Sequence, residues 1–331
     1  MPPTLLRVEN LKTEFRTSQG IVQAVRGISF EVGRGEIVGI VGESGSGKSV
    51  TALSLMRLIA SPPGRITEGR VLLEDQDLLT LSESQMCALR GDKIAMVFQD
   101  PFSSLNPTMT LGAQIAEPLR LHRKMSKEEA KKRVIELMTA VRIPNPETRY
   151  RQYPHEISGG QRQRIVIAIA FALDPDLLIA DEPTTALDVT VQAQILSLMK
   201  EMQRRHNTGI ALITHDLGVV AEVCDRALVM YAGKIVESGT VEQIFHSPQH
   251  PYTRGLLASL PQMDSTGRKR LYSIPGQPPD LAHLPPGCPF YERCGFHIER
   301  CLEVDPPPVF TNTGQMARCI RIEEIAPFVR Q

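Results

Sequence analysis

Gly42-Glu43-Ser44-Gly45-Ser46-Gly47-Lys48-Ser49 has the pattern G-x-x-x-x-G-K-S of a phosphate-binding loop. It follows Glu36–Val41, a short apolar, β-branched run that reads as a buried strand. It precedes Val50–Ile59, which reads as a helix. Strand, glycine loop and helix is the context that the motif requires. The glycines let the backbone curl around an anion with its N–H groups pointing inward. The following helix adds the positive end of its dipole. Lys48 is placed to reach β- and γ-phosphates, and the Ser49 hydroxyl to ligate Mg²⁺. The competing reading is a Gly/Ser surface turn with an incidental lysine, but a chance match to this pattern is rare.

Other chemistry-bearing residues stand further along. Gln99-Asp100-Pro101 is a loop after the apolar run Ile94–Phe98. Ser158-Gly159-Gly160-Gln161 opens an apolar helix, Arg164–Leu173, and a hydroxyl with bare N–H groups there makes a second anion site or a plain N-cap. Asp181-Glu182 ends the buried strand Leu177–Ala180. An acid at that point is placed to organise Mg²⁺, and Glu182 to act as general base. Taken alone, the pair reads equally as a helix cap. His215 follows the strand Ile210–Thr214, where a histidine is more often structural than catalytic. Phe15 offers a ring for purine stacking, though a single Phe near a strand end is usually core.

The elements that must position these residues form a regular α/β series. Leu5–Val8 and Val22–Val32 alternate as antiparallel strands do, with Gly33-Arg34-Gly35 turning into the strand before the glycine loop. Gly69–Leu73 adds to this layer. Ser126-Lys127-Glu128-Glu129 is a capping box that opens a helix with Ala130, Val134, Leu137 and Val141 on one face. The region from about 100 to 165 is mostly helical. A helix from about Thr190 to His206 follows Asp188, and Ala227–Tyr231 with Lys234–Glu237 make a hairpin across Ala232-Gly233. More than half of the 25 prolines lie after residue 245, where periodicity fades.

The chain has 331 residues, 42% hydrophobic and 22% charged, with 37 basic and 37 acidic side chains. A net charge of zero gives no basic footprint for nucleic acid. No signal peptide is expected from Met1–Leu5, and the longest apolar run, Ile165–Leu173, is far too short to span a bilayer. A cytosolic protein is expected, with any membrane association made through a partner.

The glycine loop, Gln99, Ser158–Gln161, Asp181-Glu182, Asp188 and His215 stand in an order that resembles the ATPase subunit of ABC transporters over about residues 4 to 245. The resemblance implies a P-loop NTPase of α/β class, with a RecA-like core, an antiparallel β layer and a helical subdomain at about 100–165. The expected domains are therefore 1–245, the nucleotide-binding domain, and 246–331, a Pro/Cys-rich extension. The resemblance also implies roles: Gly42, Glu43, Ser44, Gly45, Ser46, Gly47, Lys48, Ser49 and Asp188 in the ATP site, and Phe15 stacked on adenine. Gln99 would contact Mg²⁺ and the membrane subunit, Asp181 support Mg²⁺, Glu182 serve as catalytic base and His215 sense the γ-phosphate. Ser158, Gly159, Gly160 and Gln161 match the family signature, with Ile157 where leucine is commoner. That family dimerises head to tail, each signature closing on the ATP of the other subunit, so a partner ATPase is implied.

His250-Pro251-Tyr252-Thr253-Arg254-Gly255-Leu256-Leu257 and the tail after it resemble the ATP-binding subunits of dipeptide and oligopeptide importers. This implies two integral membrane permeases, a second, non-identical ATPase, indirectly an extracytoplasmic solute-binding protein, and a place on the cytoplasmic face of a bacterial inner membrane. No nucleic-acid partner is implied. Nickel importers of the same group and soluble ABC ATPases acting on DNA or ribosomes are the alternatives. Cys288, Cys294, Cys301 and Cys319 are separated by five, six and seventeen residues. In a reducing cytosol such a cluster reads as metal ligands, a [4Fe–4S] centre before zinc, because zinc tetrathiolate sites favour closer pairs. Some dipeptide-importer subunits carry such a cluster in this tail.

Overall fold

The computed structural model describes residues 2–18, 20–185, 187–260, 273–326 and 328. Among them the strands run β1 (Thr4–Thr17), β2 (Gly20–Gly33), β3 (Ile37–Val41), β4 (Gly64–Leu73), β5 (Gln76–Asp77), β6 (Ile94–Val97), β7 (Leu177–Asp181), β8 (Gly209–Thr214), β9 (Arg226–Tyr231), β10 (Lys234–Thr240), β11 (Val309–Phe310) and β12 (Met316–Ala317). Contacts divide the chain into two compact units. One holds Met1–Arg7, Glu31–Ile37 and Leu72–Ile213; the other holds Val8–Phe30, Val38–Val71 and Thr214–Gln331.

In the first unit β6, β7 and β8 are parallel neighbours, with Ile94 opposite Leu177 and Asp181 opposite Ile213. All five residues of β7 and all six of β8 are buried. Near-continuous apolar strands of this kind need cover on both faces. Helices Leu111–Arg123, Lys127–Ala140, Gly159–Ala170 and Val189–His206 belong to the same unit. The capping box at Ser126 forms: its hydroxyl accepts from the Glu129 amide, and the Glu129 carboxylate accepts from the Ser126 amide. A cap of this kind is worth about 1 kcal/mol. Ala130, Val134, Leu137 and Val141 are buried, as their helical spacing requires.

In the second unit β3 and β9 are parallel, and β9 returns antiparallel into β10. The hairpin turns at Ala232 and Gly233, with φ of 46° and 78°. These left-handed values suit the primed turns that match strand twist. β12 then pairs antiparallel with β10, Glu237 opposite Ala317, and β11 pairs with β12. Part of the C-terminal segment therefore extends a sheet, although its sequence shows little periodicity. β2, β1 and β4 lie side by side in a separate sheet.

The helix after the glycine loop is shorter than its sequence suggests. It runs Lys48–Leu55 rather than to Ile59, because Met56 caps it and Arg57 turns left-handed at φ 52°. β1 and β2 are longer than expected, at 14 residues each.

Candidate active site

The loop Gly42–Ser49 leaves the buried strand β3 and runs into the helix Lys48–Leu55. Gly47 has φ 103°, and a Cβ there would lie 2.4 Å from the Ala24 carbonyl oxygen. A Cβ on Gly42 would lie 2.2 Å from the Met230 carbonyl oxygen. Both positions therefore demand glycine for space, and Gly47 also for its dihedral. Lys48 is 5% exposed, and its ammonium donates to the carbonyls of Gly42 at 2.7 Å and Glu43 at 3.0 Å. The Ser46 hydroxyl is buried with no hydrogen-bond partner in the protein. An orphaned hydroxyl in a cradle of backbone amides is what an incoming phosphate oxygen would satisfy.

Asp181 closes β7 and is 5% exposed. Glu182 follows in the left-handed region, φ 46°, and its amide donates to the Ile213 carbonyl at 2.9 Å. A non-glycine residue held there marks a position that the surroundings over-determine. Its Oε2 accepts from Gln99 Nε2 at 3.0 Å and from the Thr185 hydroxyl at 2.8 Å. The structure thus brings together Gln99 and Glu182, which are 83 positions apart in sequence. Asp100, next to Gln99, accepts from the Phe102 amide at 2.8 Å, which holds its carboxyl below the usual range.

Ser158 caps the helix Gly159–Ala170 through a capping box with Gln161, and Ile157 is buried. A Cβ on Gly160 would lie 2.8 Å from Val191, whereas one on Gly159 would meet nothing within 4 Å. Gly159 is therefore open at the surface of its own unit. Asp188 accepts from the Val191 amide at 2.9 Å and so caps the helix Val189–His206. His215 is exposed at the end of β8, next to Asp216, which caps Leu217–Val223. Phe15 is half-buried on β1, and a Cβ on Gly64 would come within 2.7 Å of its ring.

Cys288, Cys294, Cys301 and Cys319 line one cavity, with His250, Phe290 and His297 among its walls. Burial pushes the Cys288 thiol up to about 12 and the Cys294 thiol up to about 11, and the neighbouring sulfurs add to both shifts. Among the described residues no group of three or more His, Cys, Asp or Glu side chains is arranged to hold a metal ion.

Sequence reasoning missed three residues. Thr185 aims Glu182. Tyr252 and Arg293 bond to Glu43 of the glycine loop, at 209 and 250 positions' separation. A threonine three residues after Glu182 carries a weak local signal for the first; Tyr252 stands in the His250–Leu257 segment already noted, but nothing local ties it or Arg293 to Glu43.

A buried strand, a glycine loop with no room for a Cβ at Gly42 or Gly47, and a following helix define a phosphate-loop nucleotide-binding protein. The family described as ABC transporter matches residues 25–185, and that described as oligopeptide/dipeptide transporter, C-terminal region, matches residues 236–301. The chain is 57% identical to the oligopeptide transport ATP-binding protein OppD of Bacillus subtilis, across 92% of this chain and 85% of that one. It is 53% identical to the dipeptide transport ATP-binding protein DppD of the same organism, across 95% and 94%. A dimeric ATP-binding cassette in a post-hydrolysis state, bound to ADP and Pi, superimposes with TM-score 0.64 at 28% identity, covering 71% of this chain and 98% of that one. The chain belongs to the ATP-binding proteins of the oligopeptide and dipeptide ABC transporters, and is an ABC-type ATPase. No helix among the described residues is long and apolar enough to cross a membrane.

Proposed function

We propose that this chain is the ATP-hydrolysing subunit of an importer of dipeptides or oligopeptides. The observation that carries the ATPase chemistry is the Glu182 carboxylate, fixed by Gln99 and Thr185 directly after a buried parallel strand. Similarity to peptide-transport relatives along nearly the whole chain supports the cargo. In this reading Lys48 and the amides of Gly42–Ser49 bind the phosphates, and Phe15 meets the adenine. Glu182 takes the proton of the attacking water, and His215 and Asp188 contact the nucleotide. Ser49, Gln99 and Asp181 offer hydroxyl, carboxamide and carboxylate oxygens, the hard donor set that Mg²⁺ takes. When bound there, Mg²⁺ would neutralise charge on the β- and γ-oxygens. Residues 1–245 form the ATPase domain in this reading, and 246–331 the extension.

Ser158, Gly159, Gly160 and Gln161 act on the nucleotide of a partner ATPase, and the surface around Gln99–Pro107, where Phe102 is 62% exposed, faces the membrane permeases. The chain then sits on the cytoplasmic face of the inner membrane, supplied by a solute-binding protein on the far side. The test is Gly159→Arg, which meets open space in its own unit. ATP affinity of the separate subunit stays within about twofold of wild type, while turnover of the assembled transporter falls on the order of 10²-fold. Weakened binding by the separate subunit would contradict the head-to-tail arrangement.

For the four cysteines we propose a [4Fe–4S] centre, supported by the shared cavity and by a donor set of four thiols. Zinc is the rival. Protein purified without air is expected to be brown, absorbing broadly at about 400 nm, with about four irons per chain. Colourless protein with one zinc decides for the rival, and metal-free protein sinks both.

A further inference from the structure

The C-terminal segment grips the glycine loop at one residue, Glu43. Arg293 donates from Nη1 to Glu43 Oε2 at 2.7 Å and from Nη2 to Oε1 at 2.9 Å, a bidentate pairing of two planar groups. Its Nε donates to the Pro275 carbonyl at 3.0 Å, and Nη1 also donates to the Tyr231 hydroxyl at 3.3 Å. The Arg293 side chain is only 4% exposed. The Glu43 amide donates to the Tyr252 hydroxyl at 2.8 Å. Tyr252 is fully buried, and its ring packs against Tyr231 at 4.6 Å and Phe290 at 5.4 Å. Backbone and carboxylate of a single loop residue are thus both held, from elements more than 200 positions away.

We propose that Arg293 and Tyr252 are positioning residues for the phosphate loop, and that through Glu43 they set the affinity for ATP. The proposal rests on reading Gly42–Ser49 as the ATP loop. Two physical effects support it. The first is placement. With the Glu43 amide committed to the Tyr252 hydroxyl, and its carbonyl accepting from the Lys48 ammonium and the Ser46 amide, the loop is anchored at this residue. The second is charge. Glu43 puts a partly buried carboxylate on a loop that must accept phosphates, and like charges repel more in such surroundings than in bulk water. Arg293 neutralises that carboxylate where it stands. Without it, the loop would carry an uncompensated negative charge beside its anionic ligand.

The experiment measures ATP affinity of the full chain, and the KM and kcat of ATP hydrolysis after assembly with its partner ATPase. Arg293→Met raises the dissociation constant and KM for ATP about tenfold or more, with kcat changed much less. Tyr252→Phe keeps the ring and loses the hydroxyl, and raises the dissociation constant by about threefold. Adding Glu43→Gln to Arg293→Met removes the stranded charge and recovers most of the lost affinity, which a merely structural role for Arg293 would not produce. Should Arg293→Met fail to fold, Arg293→Lys, which keeps the charge and loses the fork, takes its place and gives an intermediate loss that Glu43→Gln does not worsen. Wild-type affinity in Arg293→Met and Tyr252→Phe overturns the proposal, as does a loss in Arg293→Met that Glu43→Gln fails to relieve. A wild-type chain that binds no ATP instead overturns the reading of the loop itself.

Discussion

Glu182→Gln leaves ATP bound and lowers its hydrolysis by a factor on the order of 10² or more. The amide has the shape of the carboxylate and can still accept from Gln99 and Thr185, so the local fold survives. What it lacks is basicity: no group at that position can take the proton of the attacking water. Because the ATP-bound state is then not consumed, the ATPase dimer is expected to persist, visible as a larger species in size-exclusion chromatography with ATP and Mg²⁺. Normal turnover in this variant would remove Glu182 from the chemistry. A monomeric, non-binding variant would instead mean that the side chain is needed for the fold.

Lys48→Ala acts on binding itself. Nucleotide affinity falls about 10- to 10²-fold, the cost of losing a charge-assisted contact to phosphate. The same ammonium holds the carbonyls of Gly42 and Glu43, so truncation also loosens the loop that must present its amides. Binding measured by fluorescent nucleotide titration checks this, and full affinity in the variant contradicts the assignment of the loop. The two variants separate cleanly: one keeps ATP and does not split it, the other does not keep it.

Local chemistry made much of this molecule legible before any coordinates. The glycine loop, the capping box at Ser126, the N-cap at Ser158 and the Ala232-Gly233 turn are all short-range devices whose residues are close in sequence. The buried strand Leu177–Asp181 announced itself as an unbroken apolar run ending in an acid. What stayed hidden depends on pairings across long stretches of chain. Nothing near Glu43 says that Arg293 neutralises it, and nothing near β10 says that Met316–Ala317 extends its sheet. The C-terminal segment read as aperiodic because it lays down two-residue strands and single buried side chains rather than amphipathic elements. The helix after the loop read too long because Val50–Ile59 keeps its apolar character past the point where Arg57 turns left-handed. The cysteine spacing showed that four thiols are close in sequence; that they line one cavity is a property of the tertiary structure.

Coupling of ATP hydrolysis to peptide import is read out by reconstituting the chain with its partner ATPase and permeases in vesicles, with the solute-binding protein on the opposite face, and measuring uptake of a labelled dipeptide. Uptake is expected to require ATP and Mg²⁺ and to disappear with Glu182→Gln in this subunit. ATP-driven uptake of nickel but not of peptide, or ATP hydrolysis with no transport of either, would contradict that coupling.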